Sequence, residues 1–226
     1  MKKYLPFFAL AFVFVTSCAH KHYTSSAFEQ QSASHRSIAI LPAEMIFTGT
    51  KPKNLTEEDI RKIEEMESNI FQNAIFNGIL KYANTKRYTT YVSVQDIGTT
   101  RKLLEENNIS IRSSWNEDDK KLAELLGVDA VVRMRVQKKR YMSDLASLGI
   151  SIGRDVLQTV SSGKFPVPYV PNKTNDIYAS CNIISNNMTL WNDHYERSAN
   201  YNRPSEDVII DIADNFGKNF PYRKRR

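Results

Sequence analysis

The chain has 226 residues, 31 basic against 25 acidic side chains, a formal net charge of +6 and a hydrophobic share of 41%. That apolar content supports one real core. The mild basicity is not of the amount that nucleic-acid binding calls for.

Met1, Lys2 and Lys3 supply a positive n-region, and Leu5 to Val15 is almost wholly apolar. This run of about eleven residues is too short to span a bilayer, which needs roughly 20. It has the anatomy of a secretory signal peptide over residues 1–17. Val15, Thr16 and Ser17 precede Cys18. An aliphatic residue, two small residues and a cysteine resemble the bacterial lipobox. The resemblance implies cleavage between Ser17 and Cys18 and lipid attached to Cys18. The alternative is an ordinary signal peptide with a chance cysteine, but position, apolar run and small residues all favour the lipobox. One acyl chain binds a membrane marginally and two or more anchor it, at about 0.8 kcal/mol per buried CH₂. Lipid on Cys18 thus makes the membrane the first partner. Ala19 follows the cysteine rather than Asp. By the same resemblance this implies the outer membrane of a Gram-negative cell, and the lack of an acidic cluster favours its periplasmic face.

Without Lys2 and Lys3 the balance is 29 basic to 25 acidic residues, a net +4. After the signal peptide and a tether about 190 residues remain, enough for one elaborated domain. With Cys18 lipidated, Cys181 has no partner for an intrachain disulfide. It sits in an apolar run and is expected as a small buried core residue.

Residues 18–36 are rich in Ser, His and Gln and are predicted to form a flexible tether. The domain is expected over 37–222. "SIAILP", ended by Pro42, predicts a buried strand, followed by a polar loop to Leu55. Thr56 and Asp59 form a capping box for a long helix. Ile60, Ile63, Met66, Ile70, Ala74 and Ile79 recur at helical spacing and are expected to face a sheet. "RYTTYVSV", 87–94, predicts a strand. A short helix follows with Leu103 and Leu104 inward, then a third helix capped by Asn116 and ended by Gly127. In "VDAVVRMRVQKKR", Val132, Met134 and Val136 alternate with Arg133, Arg135 and Gln137, a strand with one buried and one wet face.

Residues 142–176 form an irregular insert holding Pro166, Pro168 and Pro171. "LGISIG" alternates as a barrel strand does, but a spanning strand needs about 9–11 alternating residues, and the prolines remove donors from any returning strand. The insert is therefore expected not to be a membrane hairpin. Two strands joined at Asn186 and Asn187 predict a tight hairpin. An amphipathic helix capped by Ser205 and a basic tail, 223–226, complete the chain. The fold class is α/β (α+β), with about five strands in a mixed sheet and helices mostly on one face. The order is β-α-β-α-α-β-insert-β-β-α.

"VSVQDIGTTRKLLEENN" and "KKLAELLGVDAVVRMRVQ", followed by a hairpin ending in Leu190 and Trp191, resemble the periplasmic α/β domain of outer-membrane lipoproteins. That group includes curli-channel (CsgG-like), penicillin-binding-protein activator (LpoB-like) and TolB N-terminal domains. The resemblance covers about residues 37–220 and carries no catalytic residues. It implies an accessory module in an envelope or secretion assembly.

Enzyme signatures are missing from the sequence: no phosphate loop, no Gly-x-Ser-x-Gly, no His-Glu-x-x-His, no cysteine pair at metal spacing. His20, His22 and His35 fall in the tether or at its edge, and His194 has no nearby nucleophile. Neither an enzymatic activity, a metal nor a cofactor is expected. Arg133, Arg135, Lys138, Lys139 and Arg140, with Arg223, Arg225 and Arg226 of the tail, are either a solvated edge and a frayed end or an interaction surface. In the periplasm the anionic partners are head groups, lipopolysaccharide and other proteins. The leading expectation is a lipid-anchored, non-enzymatic scaffold with a periplasmic or outer-membrane protein partner or further copies of itself. The alternative is a curli-exporter-like channel subunit.

Overall fold

The computed structural model describes residues 22–50, 55–141, 173–200 and 205–226. The signal peptide, Ser17 and Cys18, and the insert up to residue 172 lie outside the described residues. The fold is mixed α/β, as the sequence predicts, with seven strands in its main sheet.

The central strand is β6, Ala130–Arg140. It runs antiparallel to β7, Lys173–Ser185, which pairs with β8, Met188–Asn200. Its other edge is shared by β2, Ser37–Ile40, and β3, Glu44–Gly49, both parallel to it. Leu41, Pro42 and Ala43 separate these two strands; Pro42 has no N–H to give to a ladder, so the edge breaks there and resumes. β3 replaces part of the polar loop that the sequence predicts. Its partner lies about ninety residues further on, so the local sequence carries little sign of it.

The 87–94 segment is not one strand. β4, Tyr88–Thr90, and β5, Ser93–Val94, belong to different sheets. β5 joins β2, while β4 forms a separate antiparallel ribbon with β9, Arg223–Arg225. The chain changes partner at Tyr91, whose N–H donates to the Tyr222 carbonyl. The basic tail is therefore partly a strand. The tether is also shorter than predicted. β1, Tyr23–Thr24, pairs with β8, and α1, Phe28–Ser32, buries Phe28. His35 is buried as well. Aromatic packing supplies what the polar composition of 22–36 does not advertise: the Phe28 and Tyr222 rings lie 5.5 Å apart.

The long helix α2, Glu57–Ala83, begins at the expected capping box, with the Asp59 N–H donating to Thr56 Oγ1 and the Thr56 N–H to Asp59 Oδ2. Its inward face is only partly the predicted one: Ile79 is buried as expected and Ala74 packs against the core. Phe71, Ile75, Gly78 and Ile79 are buried, while Met66 and Ile70 are 57% and 43% exposed. The helix carries two apolar stripes, and the sheet takes the one that includes Gly78. There α6, Ser205–Asn219, approaches so closely that a Cβ on Gly78 would meet the Ala213 carbonyl oxygen at 2.4 Å. Ser205 is the first residue of that helix. Together α2 and α6 cover one face of the sheet, packing Phe71, Ile75, Val208, Ile212 and Phe216 on Val132, Met134, Val136, Ile183 and Trp191. Each such side chain contributes about 1.5–3 kcal/mol by leaving water.

A smaller cluster lies on the other face. It joins Leu104 of α3, Ile97–Glu106, and Leu122 and Leu126 of α5, Asp119–Leu126, to Ala39, Leu41, Val131 and Ile184. Leu104 is buried as predicted and Leu103 is partly so. A one-turn helix, α4, Ile111–Ser114, is capped by Ser110. It draws the Asn116 N–H onto the Ser113 carbonyl, so Asp118 rather than Asn116 caps α5. Gly127 ends α5 at φ +67°, a left-handed position that glycine takes without strain. Asn186 and Asn187 both have positive φ, as the tight hairpin requires. Asn187 Oδ1 accepts from the Lys120 N–H, and its Nδ2 donates to Asp118, which docks the hairpin on the start of α5.

Candidate interaction surfaces

The basic residues of β6 do not act as one set. Arg133 turns inward. Its guanidinium pairs with Asp119 at 2.5 Å and donates to the carbonyls of Ser114, Trp115 and Glu117. It thereby closes the end of α4 onto the start of α5, which is a structural task rather than an interaction surface. Lys138 is similarly engaged, 2.7 Å from Glu67 of α2 and over the Phe47 ring, with both partners mostly buried. Arg135 pairs with Glu44 at 3.3 Å but remains well exposed. Lys139 is exposed over Tyr141, and Arg140 is half-buried at the strand end.

What these residues border is an open sheet face. Alternation along three paired strands places Arg135, Gln137, Tyr178, Ser180, Asn182, Asn192, His194 and Glu196 on one side, beyond the reach of α3 and α5. Tyr178 is 37% exposed, and Tyr23 of β1, opposite Asn192, is 55% exposed. Asn192 Nδ2 donates to Asn182 Oδ1 at 2.6 Å, which fixes two amides on the surface. At one corner Asp176 is buried and accepts from Tyr141, Lys173 and Ser198. The hydrogen bond to Asp176 pushes the Tyr141 hydroxyl up to about 12. The sequence shows the alternation Ile177-Tyr178-Ala179-Ser180-Cys181-Asn182, but not that no described helix covers its outer face. That depends on where helices of distant sequence dock.

The tail residues form a second surface at the other end of α2. Arg225 lies opposite Tyr88, and Arg223 opposite Thr90 with its guanidinium 5.1 Å from the Tyr88 ring centre. Lys224, Arg225 and Arg226 are exposed, as are Lys86 and Arg87 beside them. Lys86, Arg87 and Tyr88 were not legible as part of this surface, because strands about 135 residues apart build it.

A polar cleft of about 230 Å³ lies between α1, α5 and the hairpin turn, lined by Ser34, His35, Lys120, Glu124, Asp129 and Asn186 among others. Asp129 Oδ2 accepts from the N–H groups of Arg36 and Ser37. His35 Nδ1 and the Tyr222 hydroxyl are 2.6 Å apart. Burial lowers the His35 imidazole from its ordinary 6.5, and Asp129 pulls in the other direction. The His35–Tyr222 contact ties the start of the domain to its C-terminal segment.

Among the described residues no group of three or more His, Cys, Asp or Glu side chains is placed to hold a metal ion. No described helix is long and apolar enough to cross a membrane. Cys181 is buried, as expected, and burial raises its thiol strongly. His194 lies on the exposed side of β8.

No protein-family model matches the chain, and no curated protein matches it in sequence. Solved structures resemble it distantly. Lipoprotein GNA1162 from Neisseria meningitidis is 10% identical, with a TM-score of 0.38 over 77% of this chain and 90% of that one. The PelC dodecamer from Paraburkholderia phytofirmans is 8% identical, with a TM-score of 0.38 over 88% and 93%. The LpoB C-terminal domain from Salmonella enterica is 8% identical, with a TM-score of 0.36 over 76% and 93%. At such identities and scores the likeness assigns no function.

Proposed function

We propose that this protein is a non-enzymatic accessory module of the bacterial envelope. Lipid on Cys18 places it at the periplasmic face of the outer membrane, and the open sheet face binds a protein partner. The observation that carries the binding role is that face. Three long strands, β6 to β8, present tyrosine, amide and arginine side chains to solvent, while the opposite face is buried under α2 and α6. Tyr and Arg are the residues that give protein interfaces much of their energy, and a rigid sheet holds them at little entropic cost. The anchor rests on the sequence Val15-Thr16-Ser17-Cys18.

Photo-reactive amino acids in place of Tyr178 and Gln137, in living cells, test the binding role. The same adduct from both positions, and none from Lys102 on α3, is the expected result. Adducts from Lys102 alone would remove the role from the sheet face.

A further inference from the structure

We infer that the ribbon of β4 and β9 is a docking surface for anionic lipid head groups, holding the domain against the membrane to which Cys18 anchors it. The inference rests on the lipid-anchor reading for its geometry and on the ribbon's own charge for its chemistry.

Lys86, Arg87, Arg223, Lys224, Arg225 and Arg226 gather on two short strands and their flanks. Lys86, Arg87, Lys224, Arg225 and Arg226 have no ion-pair partner among the described residues. This differs from β6, where Arg133, Arg135 and Lys138 each meet a carboxylate. Glu29 of α1 acts on Tyr91 at the ribbon's margin and offsets one charge at most. Tyr88 and Tyr91 are 38% and 41% exposed within the same patch. Exposed tyrosines among cations suit the interfacial zone of a bilayer, where rings sit at head-group level.

Packed rings also link the ribbon to β1, the first described strand. β1 pairs with β8 at Trp191, whose ring is 6.4 Å from Phe220, and Phe220 is 5.6 Å from Tyr222. Tyr222 directly precedes β9 and holds His35 and Phe28. Five steps of the chain separate Cys18 from Tyr23, at most about 17 Å. A lipid at Cys18 therefore keeps this side of the domain near the head groups. The acyl chains hold the molecule in the bilayer, while a basic patch orients the domain on its surface. Each exposed Lys or Arg near an anionic surface adds about fivefold in affinity, and salt weakens all of them within a Debye length.

The test uses the full protein, purified from membranes and reconstituted into phosphatidylcholine vesicles with or without phosphatidylglycerol. Amide exchange over residues 86–91 and 222–226 is expected to slow only in the anionic vesicles. Molar salt should erase the slowing. So should the combined variant Lys224→Gln, Arg225→Gln, Arg226→Gln, which removes on the order of a hundredfold in surface affinity. Equal exchange in both vesicle types, with acyl mass present on the N-terminal peptide, overturns the ribbon's role and leaves the anchor standing. Slowing that survives in the triple variant also overturns it. An N-terminal peptide without acyl mass removes the anchor instead. The ribbon is then judged by flotation of the same protein: with anionic vesicles alone it stands, with neither or both it fails.

Discussion

Arg133 shows how a charge at a wet strand position can serve the fold. One guanidinium meets one carboxylate and three carbonyls, and so ties the end of α4 to the start of α5. Truncation strands Asp119 and the carbonyls in a mostly buried site, where losing one partner of a pair is costly. Arg133→Ala is expected to destabilise the domain by about 2–4 kcal/mol, and Arg133→Lys to recover only part, since an ammonium cannot span the fork. Denaturant melts of the two variants check this; a wild-type midpoint for Arg133→Ala refutes the clamp. His35 gives a pH signature. Its folded value is lowered by burial, so the unfolded chain binds the proton more readily. The contribution of a neutral His35 is complete above the unfolded value of 6.5 and is lost as pH falls below it. The drop in melting temperature from pH 7.5 to pH 5.5 should be smaller in His35→Gln than in wild type. An equal drop removes His35 from the pH dependence.

Among the elements, α2 illustrates selection between faces. Its exposed stripe, Met66 and Ile70, is as apolar as the one it buries, and the difference lies in size. Gly78 and Gly217 let the backbones of α2 and α6 touch: a Cβ on Gly217 would stand 2.2 Å from the Gly78 carbonyl oxygen. Helical propensity alone favours Ala over Gly by about 1 kcal/mol. Here the overlap is with backbone, which cannot step aside, and such overpacking costs about 1–3 kcal/mol or more. Gly217→Ala is therefore expected to lower the melting temperature in a thermal scan. A raised midpoint would mean that α6 slides freely on α2. Lys81 and Tyr82, both bonded to Asp214, set the register that such a slide breaks.

For the molecule as a whole, Trp191 is the keystone between the chain's two ends. It is fully buried, opposite Thr24 in the sheet and edge-on to Phe220. Trp191→Ala should cost about 3–5 kcal/mol. Because the same ring supports both β1 and the approach to β9, proteolysis of both termini should accelerate together with the loss of stability. A variant that melts as wild type but loses partner binding would show the residue to be functional instead. Cys18→Ala belongs to this scale too. The chain is expected to persist as precursor or to become soluble, without acyl label. Acylated variant protein in the outer-membrane fraction would end the lipid-anchor reading.

The sequence by itself determined what depends on neighbours a few residues apart. The capping box at Thr56, the left-handed Gly127, the Asn186 and Asn187 turn and the two-residue alternation of β6 are local chemistry, and each stands where its residues predict. The fold class followed, because the order of such elements limits how layers can pack. Tertiary structure decided everything that rests on distant pairing. It found β3 by matching six residues to the end of β6, split 87–94 between two sheets, and turned part of the basic tail into a strand. It chose which stripe of α2 to bury, withdrew Arg133 and Lys138 from the surface, and left Tyr178 and Lys224 on it. The physical reason is the same throughout. Hydrophobicity and charge say what a side chain prefers, but whether a face is covered depends on which remote segment reaches it first with a shape that fits.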